Sequence, residues 1–145
     1  MNHYLFLTLL VPIDVSAGST FSTKIGAPGD TPWDLESATF TPSADTAADA
    51  ANKATIVVSK DVTTLASWTT DNAVEGQGAL TNGQPVELAL QGRGASIYGA
   101  GHKIIDSNTT ASSYGLGITH VGTGAAVKGN LLIVLKRGQR IEPRE

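Results

Sequence analysis

Few residues in this sequence could act as acids, bases, nucleophiles or metal ligands, and their spacing argues against a catalytic constellation. Its three histidines, His3, His102 and His120, stand at no metal-ligand spacing from another His, Asp or Glu on one strand face. The two-His-plus-Glu strand pattern of metal-binding jelly rolls is missing. Ser, His and Asp all occur, but no Gly-x-Ser-x-Gly elbow presents a serine nucleophile. Gly92-Arg-Gly-Ala-Ser-Ile-Tyr-Gly99 is glycine-rich, yet it lacks the Gly-x-Gly-x-x-Gly order and the closing Lys-Ser/Thr of a phosphate loop, so it reads as a turn between strands. Asp30 with Asp34 and Asp45 with Asp49 are the carboxylate pairs a glycoside hydrolase would need. Both pairs fall in turn-rich segments, where Asp shapes backbone. The rings of Trp33, Trp68, Tyr98 and Tyr114 either anchor a core or stack on a sugar. The expectation is a protein that is not an enzyme and uses no cofactor or metal. A lectin-like carbohydrate-binding sandwich using Trp33 or Trp68 is the alternative to the reading developed below.

The elements that must position these residues are short strands. Apolar and β-branched runs recur between Gly, Pro, Asn and Asp at nearly regular intervals, the pattern of a sandwich. Predicted strands are Tyr4–Val11, Thr20–Ile25, Trp33–Thr41, Lys53–Lys60, Thr63–Thr69, Val86–Gln91, Ser96–Tyr98, Lys103–Asp106, Tyr114–Val121 and Leu131–Arg137. Alternation is clean in Lys53–Lys60 and in Val86–Gln91, which reads as one half-buried strand, and only partial in Trp33–Thr41. Leu131–Arg137 is apolar enough to lie in the middle of a sheet. Ala44–Asn52 has alanines but no apolar face, so it reads as a turn or ordered loop. The fold class is all-β, a β-sandwich or jelly roll of about eight to ten antiparallel strands with little or no helix, in a single domain over residues 1–145.

Composition agrees. The chain has 145 residues, 41% of them hydrophobic and 16% charged, with 16 glycines and no cysteine, so it needs no disulfide and offers no thiol chemistry. Charge is uneven: residues 1–127 hold five basic and eleven acidic side chains, and residues 128–145 hold five basic and two acidic. An acidic body disfavours nucleic-acid binding, and the basic end, 136–145, is either a solvated tail or a contact arm for an acidic surface. The apolar Tyr4–Pro12 run followed by Val15-Ser-Ala17 has the look of a signal-peptide core, but no Lys or Arg precedes it. It is also too short to cross a bilayer as a helix, and it is read as a buried strand within an N-terminal arm, residues 1–25.

Five stretches carry a resemblance. Ala38-Thr-Phe-Thr-Pro-Ser-Ala-Asp-Thr-Ala-Ala-Asp49 leads into Asn52-Lys-Ala-Thr-Ile-Val-Val-Ser59. Val86–Leu90 and Gly101–Ile105 follow. Gly122-Thr-Gly-Ala-Ala-Val-Lys-Gly-Asn-Leu-Leu-Ile-Val-Leu135 closes the chain's apolar part. Together they resemble the small jelly-roll capsid decoration (cement) proteins of tailed bacteriophages over residues 33–137. The resemblance implies a structural virion protein, made in the host cytoplasm and bound to the outer capsid surface. It also implies a homotrimer that bridges major capsid subunits, with no nucleic acid or membrane as partner. Contacts to capsid or to a neighbouring protomer are then expected from the two ends, with Tyr4, Phe6, Lys136, Arg137, Arg140 and Arg144 as candidates.

Overall fold

Where one face of a strand must be apolar and the other is free to meet water, period-two alternation sets both the strand and its orientation. The computed structural model describes residues 2–26, 34–60, 63–90 and 113–140. Among them are nine strands and no helix: β1 (Asn2–Val15), β2 (Phe21–Gly26), β3 (Asp34–Pro42), β4 (Ala54–Lys60), β5 (Thr63–Thr69), β6 (Val86–Glu87), β7 (Ala89–Leu90), β8 (Ser113–His120) and β9 (Val127–Arg140). The expected strands Ser96–Tyr98 and Lys103–Asp106, the Gly92–Gly99 turn, Asp30, Trp33, His102 and Arg144 lie outside the described residues.

All pairings are antiparallel, in one sheet ordered β1-β9-β3-β6 and a second ordered β2-β8-β4-β5-β7. Four of them are nested along the chain: β1 with β9, β2 with β8, β3 with β6, and β4 with β5. A chain paired in this way is one long hairpin wrapped into two facing sheets, which is jelly-roll connectivity. Between the sheets lies one apolar core, with Phe40, Ile56, Leu65, Leu88, Leu116, Ile118, Leu131 and Ile133 fully enclosed. Each such side chain contributes about 1.5–3 kcal/mol by leaving water.

Two bulges explain where the alternation falters. The β3–β9 register slips between Leu35 and Ser37, so Leu35, Ala38 and Phe40 all point inward despite their odd spacing. The β4–β5 register slips between Val58 and Ser59, and the neighbours Leu65 and Ala66 on β5 are both buried. Val86–Gln91, expected as one strand, is corrected by the structure: β6 pairs with β3 in one sheet and β7 with β5 in the other. Leu88 crosses between them, buried, with its N–H donating to Ala38 O at 2.8 Å. Its alternation was real, but it marks a strand changing sheets.

The described connections 16–20, 43–53, 70–85 and 121–126 gather at one end of the sandwich and lock together. Lys53 Nζ reaches Asp71 Oδ2 at 2.6 Å, and Asn52 Oδ1 accepts from Thr123 N and Oγ1 at 3.0 and 2.7 Å. Thr46 bridges Leu80, and its Oγ1 donates to Ala126 O at 2.8 Å. The Gly-Thr-Gly turn before β9 needs the left-handed backbone of Gly122 and Gly124, at φ 68° and 66°. Ala44–Asn52 is an ordered loop without helix.

Candidate interaction surface

Of the groups singled out for possible chemistry, the side chains of Asp45, Asp49, Trp68 and His120 are described, and each bonds to the backbone. Asp49 Oδ1 accepts from the backbone N–H of Ala51 and Asn52 at 2.7 and 3.3 Å, which holds its carboxyl below the usual carboxylate range. Asp45 Oδ1 accepts from Asn82 N at 2.8 Å. His120 sits half-buried on β8 with its Nε2 2.7 Å from Ala125 O. No group of three potential metal ligands occurs among the described residues. Trp68 is only 9% exposed and its Nε1–H donates to Gly78 O at 3.1 Å, so this ring is a core anchor and offers no platform to a sugar.

Of the candidate contact residues, Tyr4, Phe6, Lys136, Arg137 and Arg140 are brought side by side by backbone register, and Arg144 lies outside the described residues. The N-terminal run is a strand that buries one face, with Ile13 and Val15 enclosed and Leu7, Leu9 and Val11 packed against the core. It forms β1 at the edge of its sheet, bound on one side by β9 and on the other by no described strand. The segment Lys136–Arg140, expected as a tail, is the last part of β9, so the two predicted arms are one ribbon. Asn2 pairs with Arg140, Tyr4 with Gly138, Leu5 with Arg137 and Phe6 with Lys136. The alignment of β3 on β9 starts at Asp34 opposite Lys136, so Arg137–Arg140 has only β1 beside it among the described strands. The two arginines are placed here by their backbone register. Lys136 Nζ lies 3.6 Å from Glu36 Oε2, an exposed ion pair worth little by itself.

Alternation along β1 turns Leu7, Leu9 and Val11 toward the core and leaves Phe6 60% and Leu10 64% exposed. On β9, Leu131, Ile133 and Leu135 are buried, whereas Leu132 is 37% exposed and sits directly across from Leu10. Phe6, Leu10, Leu132 and the half-buried Val134 therefore form an apolar stripe on the outer face of the first sheet. At its far end Asp14, Lys128 and Asn130 line a shallow depression of about 260 Å³.

Leu10, Leu132 and Val134 were not among the residues expected to make contacts. The available signal was the doublets Leu9-Leu10 and Leu131-Leu132. A strand needs apolar residues on one face only, so a doublet forces one leucine to the outside unless a bulge intervenes.

No protein-family model and no curated protein matches this chain.

Proposed function

We propose that the chain is a structural virion protein, a capsid decoration protein that binds the outer surface of a phage head and bridges major capsid subunits. The observation that carries this reading is the β1–β9 ribbon, where an outward apolar stripe and the basic segment Lys136–Arg140 lie on the same pair of strands. Outward apolar area supplies affinity, and basic residues set orientation on an acidic surface. Bridging then follows from several copies acting together, because subunits tied to one cap separate only when all their contacts fail. The resemblance adds the phage head as the setting and three copies as the assembly.

The test is co-sedimentation of the full chain with heads built from the major capsid protein encoded beside its gene. Occupancy of the outer surface is expected, with a loss of about tenfold, roughly 1.4 kcal/mol, in the double variant Arg137→Glu, Arg140→Glu. Equal occupancy in that variant removes the basic segment from the reading. No binding of the unmodified chain to such heads removes the reading itself.

A further inference from the structure

The outer edge of β1 is flanked by no described strand. It is 14 residues long, against six for β2 and two each for β6 and β7, the other strands that end a sheet. Edge strands are ordinarily blunted with charge, proline, a bulge or a cover. In β1 the proline and the carboxylate, Pro12 and Asp14, stand near its C-terminal end, and Phe6–Val11 has neither. Leu7, Leu9 and Val11 face the core yet are only half-buried, while Ile13 and Val15 on the same strand are 2% and 4% exposed. The core is thus less well covered along the stretch whose edge is least protected.

We propose that this edge is closed by the same edge of a second copy of the chain. Two β1 strands pair antiparallel about a two-fold axis at Thr8, joining two four-stranded sheets into one of eight. Length selects the occupant, since among the described strands that end a sheet only another β1 matches this edge. A contact between identical patches closes as a dimer, whereas β1 on a different edge would propagate.

Pattern selects the register. The axis at Thr8 sets Phe6 against the second copy's Leu10, Leu7 against its Leu9, and the two Thr8 hydroxyls against each other. Aromatic–aliphatic, aliphatic and Thr–Thr pairs of this kind are favourable across antiparallel strands. Charge selects the direction. Asp14 is the one Asp, Glu, Lys or Arg of β1, and Asn2 at the other end lies beside Arg140 of β9. Antiparallel pairing brings Asp14 of each copy to the Asn2–Arg140 corner of the other, and parallel pairing in register would set Asp14 against Asp14.

A strand of 14 residues is about 46 Å long, and an edge about 10 Å deep then covers about 460 Å² per copy, the size of weak interfaces with micromolar affinity. The proposal does not rest on the decoration reading, whose contacts are drawn from the outer face of the ribbon and not from this edge.

The chain contains no cysteine, so Thr8→Cys introduces a single thiol at the axis. Oxidation at about 100 µM, well above a micromolar Kd, is expected to trap a covalent dimer, with about tenfold less from Ser22→Cys on the edge of β2. Sedimentation equilibrium of the unmodified chain from about 1 to 200 µM is expected to fit monomer–dimer exchange. Thr8→Lys and Leu10→Lys both shift it to monomer while the thermal transition by circular dichroism is retained. A monomer throughout that range overturns the proposal. A trimer in which the Thr8→Cys variant forms no cross-link also overturns it, and leaves the decoration reading standing.

Discussion

Lys53 and Asp71 meet 2.6 Å apart where the β3–β4 and β5–β6 connections cross. The Lys53 hydrogen bond, followed by the N–H of Ala73, lowers the Asp71 pKa below its ordinary value of 3.8. A carboxyl stabilised in the folded state adds stability that is present above its unfolded pKa and lost as pH falls through the folded one. Asp49 contributes with the same sign through the N–H groups of Ala51 and Asn52. The melting temperature is therefore expected to fall as pH drops below about 4, and Asp71→Asn to melt lower at pH 7 with a shallower acid decline, both read by circular dichroism across a pH series. That Asp49 shapes its own backbone was legible in the sequence, because an Asp in a turn finds main-chain donors two and three residues on, whereas the donor to Asp45 is Asn82, far away in the chain. The ion pair of Asp71 was not, since nothing local brings residue 71 to residue 53.

At the scale of the element, clean strands were legible and interrupted ones were not. β4 buries Ala54, Ile56 and Val58, as their spacing requires, and β9 lies between β1 and β3, as its hydropathy requires. β3 read as only partly alternating because it carries an inward residue out of phase at a bulge, and a bulge, like the one that buries both Leu65 and Ala66 on β5, is set by the partner strand as much as by its own sequence. The exposure of the outer face of β1 was not legible for a related reason. Hydropathy reports how apolar a strand is, while an edge position depends on the order of strands in the sheet. Adjacent positions on β9 test this alternation. Ile133→Ala is expected to cost about 2–4 kcal/mol and Leu132→Ala less than about 1 kcal/mol in urea unfolding, with m unchanged in both. Equal losses would mean that Leu132 is as enclosed as its neighbour.

At the scale of the molecule, the site was legible as two separate ends and illegible as one surface. Tyr4 and Phe6 were singled out for their apolar setting and Lys136, Arg137 and Arg140 for their charge. Only the nested pairing, which joins the first strand to the last, sets them side by side. The same nesting makes the fold non-local, since β1 and β2 must wait for β9 and β8. Refolding from urea is expected to be slow for a domain of this size, milliseconds to seconds in stopped-flow fluorescence of the buried Trp68. A chain ending at Ala126, which lacks β9, is expected to show no cooperative unfolding transition.

The pairing of Asn2 with Arg140 also fixes how the protein responds to tension. In an antiparallel ladder the inter-strand bonds lie perpendicular to the strands. A pull that draws Asn2 and Arg140 apart acts along those bonds and opens them one after another, like a zip. A pull between Val15 and Arg140, at opposite ends of the same ladder, loads the rungs together in shear. The molecule is mechanically anisotropic, yielding where its ends are parted and stiff along the length of the ribbon.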